Sequence, residues 1–247
     1  MRCESREFAY LLMETAGRPR HVVEVGAFQS DDLVCWPFVF DPKCRIQLIE
    51  PNPDRALELR SAYADFPNIE LHECAIAPRN GPVTLRVPKN LASSPFADAS
   101  AFVSDLPGSP YQSRAQAGAS EELVSVQVQG RTFDVFDDGS IQGLVIDTEG
   151  SEWHVLERLR SRPLVICVEM EGPSGYRNPF FDRIEAWMRT ESYQRHSIEH
   201  IIHAEGTVPT DHVYVQKNLV GDNHQLLRAA LPPENYFAHL LRTLWKR

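Results

Sequence analysis

An α/β fold, a mostly parallel sheet with helices on both faces, is what this sequence predicts, and three observations predict it. Two short apolar runs, HVVEVG and RIQLIE, carry an acid at or near their carboxyl ends and lead into a turn or a helix. Two more, GLVIDTEG and LVICVEMEG, are continuous apolar stretches ending in acids and separated by the helical stretch SEWHVLERLRS, which makes a βαβ unit covered on both sheet faces. Strands alternate with helices along most of the chain, and that alternation implies a parallel sheet.

The elements follow in order. Residues 4–16 read as a short amphipathic helix with Phe8, Leu11 and Leu12 on one side. Val22, Val23 and Val25 build the first strand, and a helical stretch opening near Asp31 is interrupted by Pro37 and Pro42. Ile46, Leu48 and Ile49 build the second strand, followed by the helix PDRALELRSAYADF with Pro53 suited to its first turn. IELHECAI reads as one further strand, VTLRV after Gly81-Pro82 as an exposed one, and the alternating LVSVQVQ as its partner. After the βαβ unit come the helix FFDRIEAWMRTES, a closing antiparallel pair from YQRHSIEHIIHA and HVYVQKN, and an amphipathic tail, PENYFAHLLRTLWKR. Residues 89–120 break the rhythm: they are rich in Ser, Ala, Pro and Gly and read as a lid, a binding loop or a loose excursion.

Charge and composition exclude some partners. The net charge is −9 with no basic run beyond the terminal WKR, so neither a long nucleic acid nor an anionic membrane surface finds the footprint it needs. No apolar stretch approaches the roughly 20 residues of a bilayer span, and the charged N-terminus does not read as a signal peptide. The 5 cysteines are scattered and set mostly among apolar residues, as reduced thiols of a cytoplasmic protein would be.

The first two strands also define a cleft. Glu24 precedes the turn glycine Gly26, and Glu50 ends the neighbouring strand, so two carboxylates flank a crevice of the kind that takes a nucleoside cofactor. The turn reads Gly26-Ala27-Phe28-Gln29-Ser30 and has one glycine. A dinucleotide pyrophosphate needs a barer backbone than that, which disfavours a nicotinamide-dependent oxidoreductase. S-adenosylmethionine carries cations and no phosphate, and Glu24 suits a cation while Glu50 suits two ribose hydroxyls.

With these segments in place, the chain resembles the FkbM family of S-adenosylmethionine-dependent methyltransferases from about His21 to Glu171. HVVEVGAFQS resembles the family's D-V-G-A-N-x-G turn, LIEPNP its ribose-binding strand end, and HECAIAPRNGPVTLRV its third strand and hairpin. VSVQVQGRTFD and LVICVEME resemble further family strands, and VIDTEGSEWHVL resembles the I-D-x-E-G-x-E-x-x-V-L signature. Phe28 stands in place of the family's Asn, Ser30 in place of a Gly, and Val145 in place of a Lys. The resemblance implies a Rossmann-like class I methyltransferase fold with a seven-stranded sheet and an extra hairpin or lid insertion. It divides the chain into a helical segment at 1–20, a methyltransferase domain at 21–220 with residues 89–120 as lid or substrate loop, and a C-terminal helix at 221–247. It further implies that Glu24, Gly26, Ala27, Phe28 and Ser30 border the cofactor, that Glu50 and Asn52 hold its ribose side, and that Cys74 and Ala75 flank adenine.

Asp147, Glu149 and Glu169 end adjacent strands and are the candidate catalytic residues; Glu171 would point the same way as Glu169 in a regular strand. Crowded carboxylates raise one another's proton affinity and yield a base near neutral pH. They are also a hard-oxygen set for a divalent cation such as magnesium, although no dedicated metal site is assigned. His196, His200 and His203 have a metal-like spacing but read better as structural or surface residues; His154 reads as solvated and His72 as a core histidine. Trp36, Phe38 and Phe40 read as core packing. The implied function is O-methylation of a hydroxyl on a sugar or secondary metabolite, by a protein for which a homodimer stays open. Two alternatives stand beside it: a carboxyl O-methyltransferase, if Arg114, Arg131 or Arg177 reaches the cleft, and a cofactor-binding module without catalysis.

Overall fold

The computed structural model describes residues 9, 13, 19–28, 38–88, 102–103, 123–172, 176–196 and 211–217. Expectations for residues 29–37, for most of 1–20 and 89–120, and for 221–247 lie outside the described residues, as do Trp36, His200, His203, Cys3, Cys35 and Arg114.

Seven strands form the main sheet. Going outward from its centre on one side, β1 (His21–Val25) pairs with β2 (Arg45–Ile49) and β2 with β3 (Ile69–His72), all parallel. On the other side β1 pairs with β8 (Gly143–Ile146) and β8 with β9 (Val165–Glu169), again parallel. Antiparallel β13 (Asp211–Gln216) and β12 (Tyr193–His196) close that edge, as the two sequence segments predict. Alternate residues of these strands feed two cores. Val22, Ile46, Leu48, Val145 and Cys167 face one that includes Met13, Phe38 and Leu59. Val23, Val25, Leu144, Ile146, Ile166 and Val168 face the other with Trp153, Ile184 and Met188. Burial on both faces is why these strands read as unbroken apolar runs rather than alternating ones.

The helices start where local chemistry directs. α1 (Pro53–Ala62) has Pro at its first turn, and the side-chain oxygen of Asn52 accepts from the Asp54 amide at 3.1 Å. α2 (Glu152–Leu156) is short and lies in the β8–β9 crossover. α3 (Phe181–Thr190) buries Ile184 and Met188, one helical turn apart, against the second core.

A second sheet stands apart from the first. IELHECAI does not run as one strand: after His72 the chain leaves the main sheet, and β4 (Ala75–Ile76) pairs instead with β7 (Leu123–Arg131). β7 also pairs antiparallel with β5 (Gly81–Pro88), the expected partner, and β5 with β6 (Phe102–Val103). Only Phe102 and Val103 of the 89–120 segment are described. Phe40 is 53% exposed, with its edge on Phe66, so of the aromatic pair Phe38 alone is core.

Candidate active site

The chain runs β1, β2, β3 outward and then returns to β8 on the far side of β1, so the sheet changes direction between β1 and β8. In open α/β sheets a ligand crevice forms at such a point, beyond the carboxyl ends of the strands. Here the two halves touch backbone to backbone. Gly26 has φ +83°, and a Cβ placed on it would lie 1.7 Å from the carbonyl oxygen of Asp147. Glycine is required there for space and for the left-handed backbone.

A partly enclosed cleft opens at this junction. Gly26, Glu50, Cys74, Ala75 and Asp147 line it, together with the apolar Val25, Ile49, Ile76, Leu85 and Val103 and with Thr148 and Ser151. The break after His72 explains the wall: it turns Cys74 and Ala75 inward and lets the second sheet present Leu85 and Val103. Apolar walls thus stand beside one buried carboxylate, Glu50.

Glu50 is 2% exposed. Its Oε2 accepts from the Phe28 amide at 2.9 Å and its Oε1 from the Asn52 amide at 2.7 Å. Burial pushes its carboxyl up to about 7 against the pull of those two amides. Phe28 and Asn52 thus bracket Glu50 through their backbones. The Phe28 ring lies 4.8 Å from the Arg55 guanidinium, and Phe28 takes up φ 42°, unusual without glycine. Ala27 packs into the first core, and Glu24, 1% exposed, sits in β1 in step with Val22. Ser30 lies outside the described residues. Burial raises the Cys74 thiol to about 11, and Cys44, Cys74 and Cys167 are all buried.

Asp147 continues β8 in step with Val145, and Glu169 ends β9 in step with Cys167. With Glu149 they form one group: a carboxylate oxygen from each lies within 4.8 Å of the others, and all three are half-buried. Glu149 has φ 56° and is followed by Gly150 at φ 114°.

Glu171 does not join them. Regular pairing stops after Glu169, and Glu171 enters a small ladder, β10 (Glu171–Gly172) with β11 (Tyr176–Arg177). Its Oε2 meets His212 Nε2 at 3.4 Å, and His212 shares the face of Tyr214 in the second core. His154 is not solvated: its side chain is 11% exposed, and Nδ1 lies 2.7 Å from Glu157. His72 bonds Gln47 at 3.1 Å and lies tilted against Phe136, but its side chain is 29% exposed, so it is a half-buried edge position rather than a core one.

Sequence reasoning missed Glu152. It is fully buried and holds the loop after β8: its Oε1 accepts from the Thr148 amide at 3.1 Å, the Thr148 hydroxyl at 2.9 Å and the Gly150 amide at 2.9 Å. The signal was present, because an acid inside an otherwise apolar helix face (Trp153, Val155, Leu156) must have donors to meet.

Among the described residues no helix is long and apolar enough to cross a membrane. The sequence profile of the methyltransferase FkbM domain matches residues 24–195. No curated protein sequence matches the chain. Among solved structures, Aeropyrum pernix fibrillarin with natively bound S-adenosyl-L-methionine is similar at TM-score 0.45 and 11% identity, over 84% of this chain and 72% of that one. The precorrin-6y C5,15-methyltransferase of Geobacter metallireducens gives 0.38 and 13%, over 85% and 87%. The N-terminal domain of EvdMO1, solved with S-adenosylhomocysteine and D-fucose, gives 0.33 and 11%, over 91% and 71%. The profile spans well over half the sequence and includes the cleft and all three clustered acids: the chain belongs to the FkbM family of S-adenosylmethionine-dependent methyltransferases.

Proposed function

We propose that the protein methylates a hydroxyl of a sugar or secondary metabolite, and the observation that carries this is the group formed by Asp147, Glu149 and Glu169 beside the cofactor cleft. S-adenosylmethionine supplies an electrophilic methyl on sulfonium. Methyl transfer is an in-line displacement, so the protein's main task is alignment. A hydroxyl acceptor must also lose its proton, and a clustered carboxylate is placed to orient that hydroxyl and accept the proton. Gly26 gives the close approach that the donor's amino-acid end requires, while Glu50 receives the ribose hydroxyls. Three anionic groups at the lip disfavour a carboxylate acceptor, which they would repel.

A second reading shares the same geometry. Hard divalent cations bind oxygen at roughly 2.1–2.6 Å, so ligands on opposite sides of one ion lie about 4–5 Å apart. Three carboxylate oxygens within 4.8 Å of one another suit such an ion. Its chemistry would be to acidify the acceptor hydroxyl, leaving the carboxylates to hold it.

Release of S-adenosylhomocysteine is the measurement, with panels of sugars (D-fucose included), phenolic and alcoholic metabolites and carboxylic acids, in EDTA and magnesium arms. Turnover on a hydroxyl compound that falls by about 100-fold or more in Asp147→Asn is the expected result. Retention of activity in EDTA assigns the proton to a carboxylate; its loss and recovery with magnesium assigns the cation. Turnover confined to carboxylic acids overturns the proposal.

A further inference from the structure

The three acids come from two separate segments, the loop after β8 and the end of β9, and something must hold those segments in register. Glu152 and Asn178 are placed to do so. Three donors around Glu152 Oε1 come from Thr148 and Gly150, the residues on either side of Glu149. The other oxygen, Oε2, accepts from Asn178 Nδ2 at 2.6 Å. The same Nδ2 donates to the backbone carbonyl of Glu169 at 3.2 Å, and the Asn178 amide donates to the carbonyl of Met170 at 2.8 Å. Asn178 Oδ1 accepts from the Phe180 amide at 2.9 Å, which anchors the pair to the chain entering α3. Glu152 is fully buried and Asn178 is 2% exposed.

We infer that Glu152 and Asn178 are positioning residues of the methyl-transfer site: a buried clip that sets Asp147 and Glu149 against Glu169. Neither side chain lines the cleft, so the pair acts through the acids it holds. The left-handed backbone of Glu149, φ 56°, is disfavoured for a residue with a Cβ. The Glu152 carboxylate offsets that by receiving the amides on both sides of it. Each of its four contacts is a donor, so an amide in its place must turn one donor toward another. The inference rests on the proposed role of the three acids, and its test separates the two.

Glu152→Gln, Asn178→Asp, Asn178→Ala and the exchange Glu152→Gln/Asn178→Asp are compared with Asp147→Asn. Crystal structures read the geometry without any acceptor. In Glu152→Gln, Glu149 is expected to leave its left-handed conformation and the acids to separate beyond their present 4.8 Å. Calorimetry with S-adenosylhomocysteine is expected to change by less than about threefold, while kcat on the hydroxyl acceptor falls by about 10–100-fold, the usual range for a group that supports a functional residue. The exchange variant again has a donor facing a carboxylate between the two side chains, but it leaves the Glu169 carbonyl without the donor that Asn178 supplies, so its kcat is expected to stay within about threefold of the worse single variant. Unmoved acids in Glu152→Gln overturn the inference, as does S-adenosylhomocysteine affinity that falls in step with kcat, the mark of general loosening. If Glu152→Gln does not fold, Asn178→Ala gives the same structural reading. Full turnover in Asp147→Asn overturns the role of the acids instead, and leaves the geometric result to judge the clip.

Discussion

Single residues at the strand ends control both shape and charge. Gly26 permits the backbone approach to Asp147, so Gly26→Ala must move one strand end or the other. The expected loss is about 3 kcal/mol or more, read as a lower urea midpoint, with cofactor binding lost as well. Glu50 ties charge to pH. Its carboxyl is raised to about 7 by burial, so near pH 6 most of the free protein holds it protonated. Ribose hydroxyls donate best to the ionised form, so affinity for S-adenosylmethionine is expected to rise between pH 6 and pH 8, with proton release on binding below that range's upper end. Calorimetry in buffers of different ionisation enthalpy measures both. Glu50→Gln should weaken binding and remove its pH dependence.

At the level of elements, the second sheet is a wall of the site as well as a packing unit. Leu85 on β5 is fully buried among Ala75, Val87 and Val103 and also lines the cleft. Leu85→Ala is expected to cost about 2–5 kcal/mol, seen in denaturant unfolding, and to weaken cofactor binding along with it. The main sheet was legible in the sequence because its strands are buried on both faces, and their apolar runs and terminal acids mark them. The second sheet was only half legible. The pairing of β5 with β7 shows in the alternation of LVSVQVQ, although Gly81 and Pro82 open β5 rather than forming a turn before it, whereas the exit at Glu73–Cys74 has no glycine, proline or change of pattern to announce it. At the site, acids at strand ends were visible one by one. That Glu169 stays with Asp147 while Glu171 departs to His212 was not, because the departure depends on pairing with a distant segment. Glu152 escaped notice although three of its four donors sit in the loop just before it; only Asn178 comes from a distant segment.

Across the whole molecule, buried titratable groups pull stability in opposite directions with pH. His21, His72 and His212 are all lowered from 6.5, chiefly by burial. An unfolded chain takes up protons near that value and the native one resists, so their contribution is complete above 6.5 and is lost as pH falls through their lower native values. Glu50 has the reverse sign: its contribution is present below 4.5 and lost as pH rises through about 7. On acidification from pH 7 to pH 5 the three histidines make the midpoint of thermal unfolding fall, and Glu50 opposes that fall. Glu50→Gln should steepen that fall, since it deletes the one opposing group among these four. At the His21 ring burial outweighs the hydrogen bond to Gln47 at 2.8 Å and the Asp138 carboxylate 3.9 Å from Nδ1, both of which favour the protonated form.

The central strand has a consequence for how the protein is made. β1 is synthesised early, and one of its two neighbours, β2, follows at once. The other neighbour is β8, whose Gly143 and Ile146 pair with Val22 and Val25. Until the ribosome has delivered that segment, β1 presents an open, apolar edge, and the cleft has one lip. Such distant pairing slows folding and leaves the growing chain prone to association. Nascent chains arrested before residue 143 should therefore be sensitive to protease and bound by chaperones, and protection should begin only when β8 and β9 clear the exit tunnel.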